Sequence, residues 1–268
     1  MNSPSSSATQ TSATQQAVAW DQRKKAWALL KGLRPSALDL DRIALVRQME
    51  PERLREPGVL EELMLVLGLN DEGMGELPPH LHPHCGPGLR VWQYPIQFAP
   101  YLRHLAELDV RSYLEIGIRH GGSYVLTVEL LDRFRPLDWA VGVDIIPCPS
   151  MADYTALNPR SHFAGLNSQS PDFAALRDRL APIDLVFIDS HHEEEQCRRE
   201  VAALLPVANM IALHDVSNVG CPGVRTVWEE IRAMNGYDCV EFTAQYDGLG
   251  PFMGIGLAVR KDRLRTEP

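Results

Sequence analysis

The chain has 268 residues, 45% of them hydrophobic, and a formal net charge of -9. A chain of this size buries one sizeable core plus an appendage, and two full domains would be cramped. Acids outnumber bases, Lys and Arg are scattered, and no apolar run reaches the ~18 residues of a membrane helix, which excludes nucleic-acid and membrane partners.

Met1 to Gln16 is polar and rich in Ser, Thr and Gln, without the charged start and apolar segment of a leader, so a disordered tail over 1–18 of a cytoplasmic protein is expected. Three short helical segments follow: Ala19 to Leu33, Asp39 to Arg47 and Gly58 to Leu67, the last ended by Gly68 and the set punctuated by Pro35, Pro51 and Pro57. They predict a small helical extension. A Pro, Gly and His-rich stretch from Leu77 to Gly88 closes it, which places a domain boundary near residue 90, with 19–90 as cap and linker and 91–268 as the catalytic domain. His80, His82 and His84 in that stretch read as a solvated or lid segment rather than a second metal site. Tyr94, just before the first helix of the larger domain, is read as equally suited to a pocket wall and to the core. Cys85, Cys148, Cys197, Cys221 and Cys239 are odd in number and lack a C-x-x-C pair, so free thiols are expected rather than disulfides or structural zinc.

From Arg111 onward, apolar runs alternate with helical-period segments. Strands are predicted at Tyr113, Ala140, His162, Leu185 and Met210, and helices start near Gly122, Pro171, Glu193 and Gly223, a pattern that builds a parallel sheet covered on both faces. The last two strands, Cys239 to Ala244 and Phe252 to Val259, are too close for a crossover helix and predict an antiparallel hairpin. The fold class is α/β, a doubly wound, mostly parallel seven-stranded sheet with an N-terminal helical extension.

The run Tyr113-Leu114-Glu115-Ile116-Gly117-Ile118-Arg119-His120-Gly121-Gly122-Ser123 reads as a buried strand, a glycine turn and a helix start, where free N–H groups can meet a nucleotide-sized ligand. The second strand ends in Asp144, whose carboxylate can accept both hydroxyls of a ribose. The Gly117 to Asp144 spacing exceeds the roughly 20 residues of a dinucleotide fingerprint and the turn is not G-x-G-x-x-G, which argues against a nicotinamide cofactor.

These residues resemble the class I S-adenosylmethionine-dependent methyltransferases, whose first strand ends in E-x-G-x-x-x-G and whose second ends in an acid; the resemblance covers about the last two thirds of the chain. It implies that Glu115, Gly117, Gly121 and Ser123 surround the methionine part of S-adenosylmethionine, that Asp144 holds its ribose, and that Asn167 and Ser168 lie near its adenine, with Asp189 at the same strand-end edge.

The fourth strand ends in Asp189 followed by Ser190-His191-His192-Glu193, and the fifth in His214-Asp215. Strands four and five neighbour strand one, so Asp189, His192, His214 and Asp215 are expected to converge beside the glycine turn, as a site for Mg2+ or another divalent cation. The Asp189-x-x-His192 spacing and the acid after strand five resemble the metal-dependent O-methyltransferases of natural-product pathways, of the sugar, macrolide and cephalosporin type. By that resemblance Asp189 and Asp215 are ligands, and the fold assembles as a homo-oligomer. His214 stands where the closest pattern has an acid, and can ligate, orient substrate or cap the strand. His192, titrating near working pH, is the expected general base. The run Glu193 to Glu195 is read as a favourable charge at a helix start.

The sequence thus points to a divalent-metal-assisted, S-adenosylmethionine-dependent O-methyltransferase acting on a small-molecule hydroxyl, such as a sugar or secondary metabolite in antibiotic biosynthesis. The alternatives are a metal-independent N-methyltransferase, a nicotinamide-dependent oxidoreductase, and a non-enzymatic partner that keeps the fold.

Overall fold

The structure, a computed structural model, describes residues 35–262. The expected tail 1–18 and helix Ala19 to Leu33 lie outside the described residues. Seven strands form one sheet: β1 (Ser112–Ile116), β2 (Trp139–Asp144), β3 (Ser161–Gly165), β4 (Ile183–Ile188), β5 (Ala208–His214), β6 (Tyr237–Phe242) and β7 (Ile255–Arg260). Their order is β3-β2-β1-β4-β5-β7-β6. The first five run parallel, and β7 lies antiparallel between β5 and β6. This is the expected doubly wound sheet with its antiparallel end.

Every residue of β1 is buried, as a central parallel strand covered on both faces requires. Alternation then divides its side chains. Leu114 and Ile116 join the cluster formed with Val143, Val186, Ile211, Val201 of helix α8 (Glu194–Leu204) and Trp228 of helix α9 (Pro222–Arg232). Tyr113 stacks on Tyr124 of helix α5 (Gly122–Phe134) on the opposite face, where helix α4 (Pro95–Leu105) also packs.

Three local differences from the sequence reading have physical reasons. Helix α6 (Met151–Leu157), between β2 and β3, escaped the pattern because seven residues with only Met151 and Tyr154 buried show no helical period. The segment expected as a helix over Asp39 to Arg47 is a 3-10 turn, Leu40–Arg42, running into helix α1 (Ile43–Gln48). The β6 and β7 connection is longer than the six-residue hairpin loop expected, because Gln97 of α4 replaces the last rungs. Its Nε2 donates to the carbonyls of Ala244 and Phe252 at 2.6 and 3.2 Å, and its Oε1 accepts the Gly254 N–H at 2.8 Å.

Residues 35–90 include α1, helix α2 (Pro51–Leu54), whose first position holds the Pro51 that punctuated the pattern, helix α3 (Val59–Leu67), and a 3-10 turn Pro79–His84. They join the sheet through buried polar contacts. Arg47 of α1 donates a two-pronged pair of bonds, both 2.7 Å, to Glu129 of α5, which also accepts the Tyr154 hydroxyl at 2.9 Å. Glu129 is 3% exposed in its side chain and Arg47 41%, so the carboxylate depends on this pair for its charge balance. Arg47→Met is expected to lower unfolding free energy by about 2–3 kcal/mol. Adding Glu129→Gln should return at least half of that loss, measured by urea denaturation; a fully additive double mutant would show that the pair is not coupled.

Candidate functional site

The strand order reverses between β1 and β4, and in open α/β sheets the crevice outside such strand ends takes ligands. Here the two ends are tied together. Gly117 donates to the Val143 carbonyl at 2.8 Å, and the Asp189 N–H donates to the Ile116 carbonyl at 2.8 Å. Gly117 has φ +89°, and a Cβ there would sit 2.0 Å from the Asp189 carbonyl oxygen, so no other residue fits. A Cβ on Gly121 would meet Met151 Cε at 2.6 Å, and one on Gly122 the Leu89 carbonyl at 1.8 Å. The room these two glycines leave is filled by the protein itself. Ser123 lies beside them at the start of α5 and is buried.

Asp144, at the end of β2, accepts the Arg119 N–H at 2.8 Å and the Ile146 N–H at 2.9 Å, one on each carboxylate oxygen. Arg119 itself is held at φ +50°. Its guanidinium meets Glu72 at 3.2 Å, and Glu72 also lies 3.2 Å from His120 Nε2, so residues ahead of the sheet brace the turn after β1. Past β3, Asn167 accepts the Gln169 N–H at 2.8 Å, while the Ser168 hydroxyl donates to Glu200 at 2.5 Å. Glu200, which also accepts from Ser190 at 2.6 Å, is 1% exposed. The sequence analysis missed it. The available signal was an acid on the buried face of α8, in line with Cys197, Val201 and Leu204.

The ends of β4 and β5 bring Asp189, His192, His214 and Asp215 together, with ligand atoms all within 4.8 Å of one another. Asp189 Oδ1 lies 3.3 Å from His192 Nε2 and 3.0 Å from His214 Nδ1. Asp215 Oδ2 lies 3.1 Å from His192 Nε2 and 3.5 Å from His214 Nδ1. Nitrogen and oxygen alternate around a ring. Asp215 adopts φ +64°, and its other oxygen accepts from Asn218 Nδ2 at 2.9 Å. Gln93 donates to Asp189 Oδ2 at 3.3 Å, a contact with no sequence signal because Gln93 lies 96 residues away. His191 points elsewhere, half exposed beside Glu193. Tyr94 is core, its hydroxyl donating to the Glu76 carbonyl, and the His80, His82 and His84 segment forms no part of this cluster.

Burial disfavours a charged His214 ring, but the carboxylates of Asp189 and Asp215 outweigh it and hold the ring up at about 10. The same opposition leaves His192 well above its ordinary value, with Asp215 the main upward influence. Burial pushes the two carboxyls up, but the imidazoles beside them bring both below the usual range. His214 is 5% exposed, and neither ring nitrogen has an aligned hydrogen-bond partner among the described residues. Two carboxylate oxygens, two imidazole nitrogens and a buried ring left unsatisfied form a donor set that fits a divalent cation.

Residues 114–216 match the family model of a methyltransferase domain. The chain carries a methyltransferase domain. The nicotinamide-dependent alternative is set aside by that match, and the domain has the sheet order of the S-adenosylmethionine-dependent methyltransferase fold. No curated protein sequence matches the chain. Among solved structures, the chain is similar to the O-methyltransferase TomG from Streptomyces achromogenes at 21% identity and TM-score 0.47, over 80% of this chain and 99% of that one. An O-methyltransferase from Bacillus cereus shows 20% identity and TM-score 0.46, over 77% and 92%. MycE of the mycinamycin pathway shows 20% identity and TM-score 0.43, over 65% of this chain and 50% of its own. No helix among the described residues of the methyltransferase chain is long and apolar enough to cross a membrane.

Glu115 of the methyltransferase domain lies beneath the Gly117 turn, 1% exposed, and accepts the Tyr113 hydroxyl. Burial pushes its carboxyl up; the Tyr113 hydrogen bond opposes this and Asp189 adds to it, leaving it at about 8. Unfolded, a glutamate releases its proton near about 4.3. The folded chain therefore binds more protons in between, and the stability Glu115 contributes below the unfolded value is lost as pH rises toward 8. Glu115→Gln, neutral at every pH, is expected to flatten the fall in stability between pH 5 and pH 8 by up to about 4 kcal/mol, followed by denaturant titration at each pH. An unchanged slope would show that Glu115 ionises normally.

Proposed function

We propose that the chain is an S-adenosylmethionine-dependent O-methyltransferase that acts, with a divalent cation, on a hydroxyl of a small molecule such as a sugar or secondary metabolite of antibiotic biosynthesis. The single observation that carries this reading is the position of Asp189, whose backbone is tied to the end of β1 and whose carboxylate is in the ring with His192, His214 and Asp215. A methyl donor at the β1 turn and an acceptor at the ring would then be neighbours. The net charge of -9 and the lack of a basic stripe support a small acceptor over nucleic acid.

In this reading the backbone of the Gly117 turn, with Glu115, Gly121 and Ser123 around it, holds the methionine part of the donor. Asp144 holds the ribose hydroxyls; each of its oxygens carries one N–H bond and keeps a lone pair for a further donor. Asn167 and Ser168 border the adenine. Asp189, Asp215 and His214 hold the cation, which lowers the pKa of an acceptor hydroxyl. Asp189 and Asp215 hold His192 protonated when they face no other cation, so His192 would take the proton as a neutral base once those carboxylates are shared with the divalent ion. Asn218 fixes the Asp215 carboxylate and Gln93 the Asp189 carboxylate, so the acceptor oxygen is aligned by groups that are themselves immobilised. Such positioning is worth up to about 7–11 kcal/mol.

One observation favours a second reading, a metal-independent N-methyltransferase: two protonated imidazoles would balance both carboxylates without a cation. Methyl transfer measured with chelator, and after adding back Mg2+ or Mn2+, separates the two. The first reading expects transfer to stop and recover, with Asp215→Asn lowering turnover by at least ~100-fold while calorimetric affinity for S-adenosylhomocysteine changes less than ~3-fold. Full turnover in chelator would remove the cation from the mechanism. Absence of S-adenosylhomocysteine binding would remove the methyl donor.

A further inference from the structure

We infer that the cation position held by Asp189, His214 and Asp215 selects a first-row transition ion of the Fe2+, Co2+ and Zn2+ type over Mg2+, and that His214 sets this preference. The inference rests on the divalent-cation reading above and names the class of ion.

The four neighbouring nitrogen to oxygen separations around the ring are 3.3, 3.0, 3.5 and 3.1 Å. A tetrahedral to octahedral shell with bonds of about 2.0–2.1 Å has adjacent donors about 2.9–3.4 Å apart. The neighbouring separations match those of donors around a small divalent ion, while the widest separation, up to 4.8 Å, exceeds twice such a bond, so a bound ion would draw the donors inward. Size does not separate Mg2+ from Zn2+ or Co2+, since both take such bonds, so the donor atoms decide.

Of the three residues read above as holding the cation, His214 supplies an imidazole nitrogen where a third carboxylate would supply oxygen. Mg2+ is bound by oxygen and retains several of its waters, whereas imidazole suits the later first-row ions. His214 and Asp215 are 5% and 1% exposed, and Asn218 Nδ2 and Cys221 Sγ crowd Asp215 at 2.9 and 3.7 Å, which leaves little room for retained water on that side. The His214 ring packs against Phe187, with centroids 6.2 Å apart. Its nitrogens stay without an aligned partner although Nδ1 lies within 3.0 Å of Asp189 and 3.5 Å of Asp215. As ion pairs alone, these contacts are poorly aligned at Nδ1 and leave Nε2 with no partner among the described residues. An ion centred between the donors would engage Nδ1, a ligand that Mg2+ disfavours. Replacing this one imidazole by a carboxylate, in the same place at the end of β5, would give an oxygen-rich shell.

The test uses the full chain, stripped by chelator, dialysed, and titrated calorimetrically with MgCl2 and with CoCl2. Sites with nitrogen donors rank Co2+ above Mg2+ in general, so the informative quantity is the change in the affinity ratio on His214→Asp. That variant is expected to narrow the Co2+ to Mg2+ ratio by at least ~10-fold; an unchanged or wider ratio overturns the proposal. Binding of neither ion by the unaltered chain defeats the cation reading itself. Because a third buried carboxylate can prevent folding, electron paramagnetic resonance of the Cu2+-loaded, unaltered chain provides a second readout. Nitrogen hyperfine coupling from imidazole is expected, and a spectrum with oxygen ligands alone overturns the inference.

Discussion

The close approach of Gly117 to Asp189 is the constraint on which the site depends. The first strand must turn sharply at its end, and the fourth strand must end against that turn, with the Asp189 carbonyl where a Cβ would otherwise stand. The Asp189 amide, bonded to Ile116, continues the β1 and β4 ladder one residue past the strand ends. Its carboxylate is thereby aimed beyond the sheet, toward β5, with little freedom to swing back. One residue therefore belongs both to the strand-end turn and to the ring.

Around that fixed point the electrostatics are self-supporting. Two acids and two imidazoles in a largely buried ring pull one another toward their charged forms against the cost of burial. Burial drives Glu115, below the turn, the other way, and the opposing influence of the Tyr113 hydrogen bond and the more distant His214 ring does not outweigh it. The carboxyls of Glu115 and Asp189 thus shift in opposite directions, because both imidazoles bond directly to Asp189 and neither does to Glu115.

The segment ahead of the sheet braces the same region from outside. The Ser36 N–H donates to His120 Nδ1 at 2.8 Å, the Leu38 N–H to Ser150 Oγ at 2.7 Å, and Glu72 meets Arg119. Each lands on the loops after β1 or β2. With Arg47 and Glu129 these contacts join residues 35–90 to the side of the sheet that carries the turn, so the strand-end loops are held by the fold rather than by any ligand.

The alternating apolar runs, the strand-end acids and the antiparallel pairing of the last two strands were readable from the sequence, because burial on both faces of a parallel sheet writes itself into residue order. Asp189, His214 and Asp215 were readable for the same reason, each ending or following directly on an apolar strand, and His192 from its spacing three residues past Asp189. Tertiary structure decided what is not periodic. Gln93 and Glu200 reach the site region across long sequence separations, and Gln97 replaces the last rungs between β6 and β7, none of which leaves a local pattern. The purpose of the glycines was also decided in three dimensions. A sequence shows only that Gly121 and Gly122 lack a side chain, whereas Met151 and the Leu89 carbonyl occupying that space come from segments whose approach only the packed chain reveals.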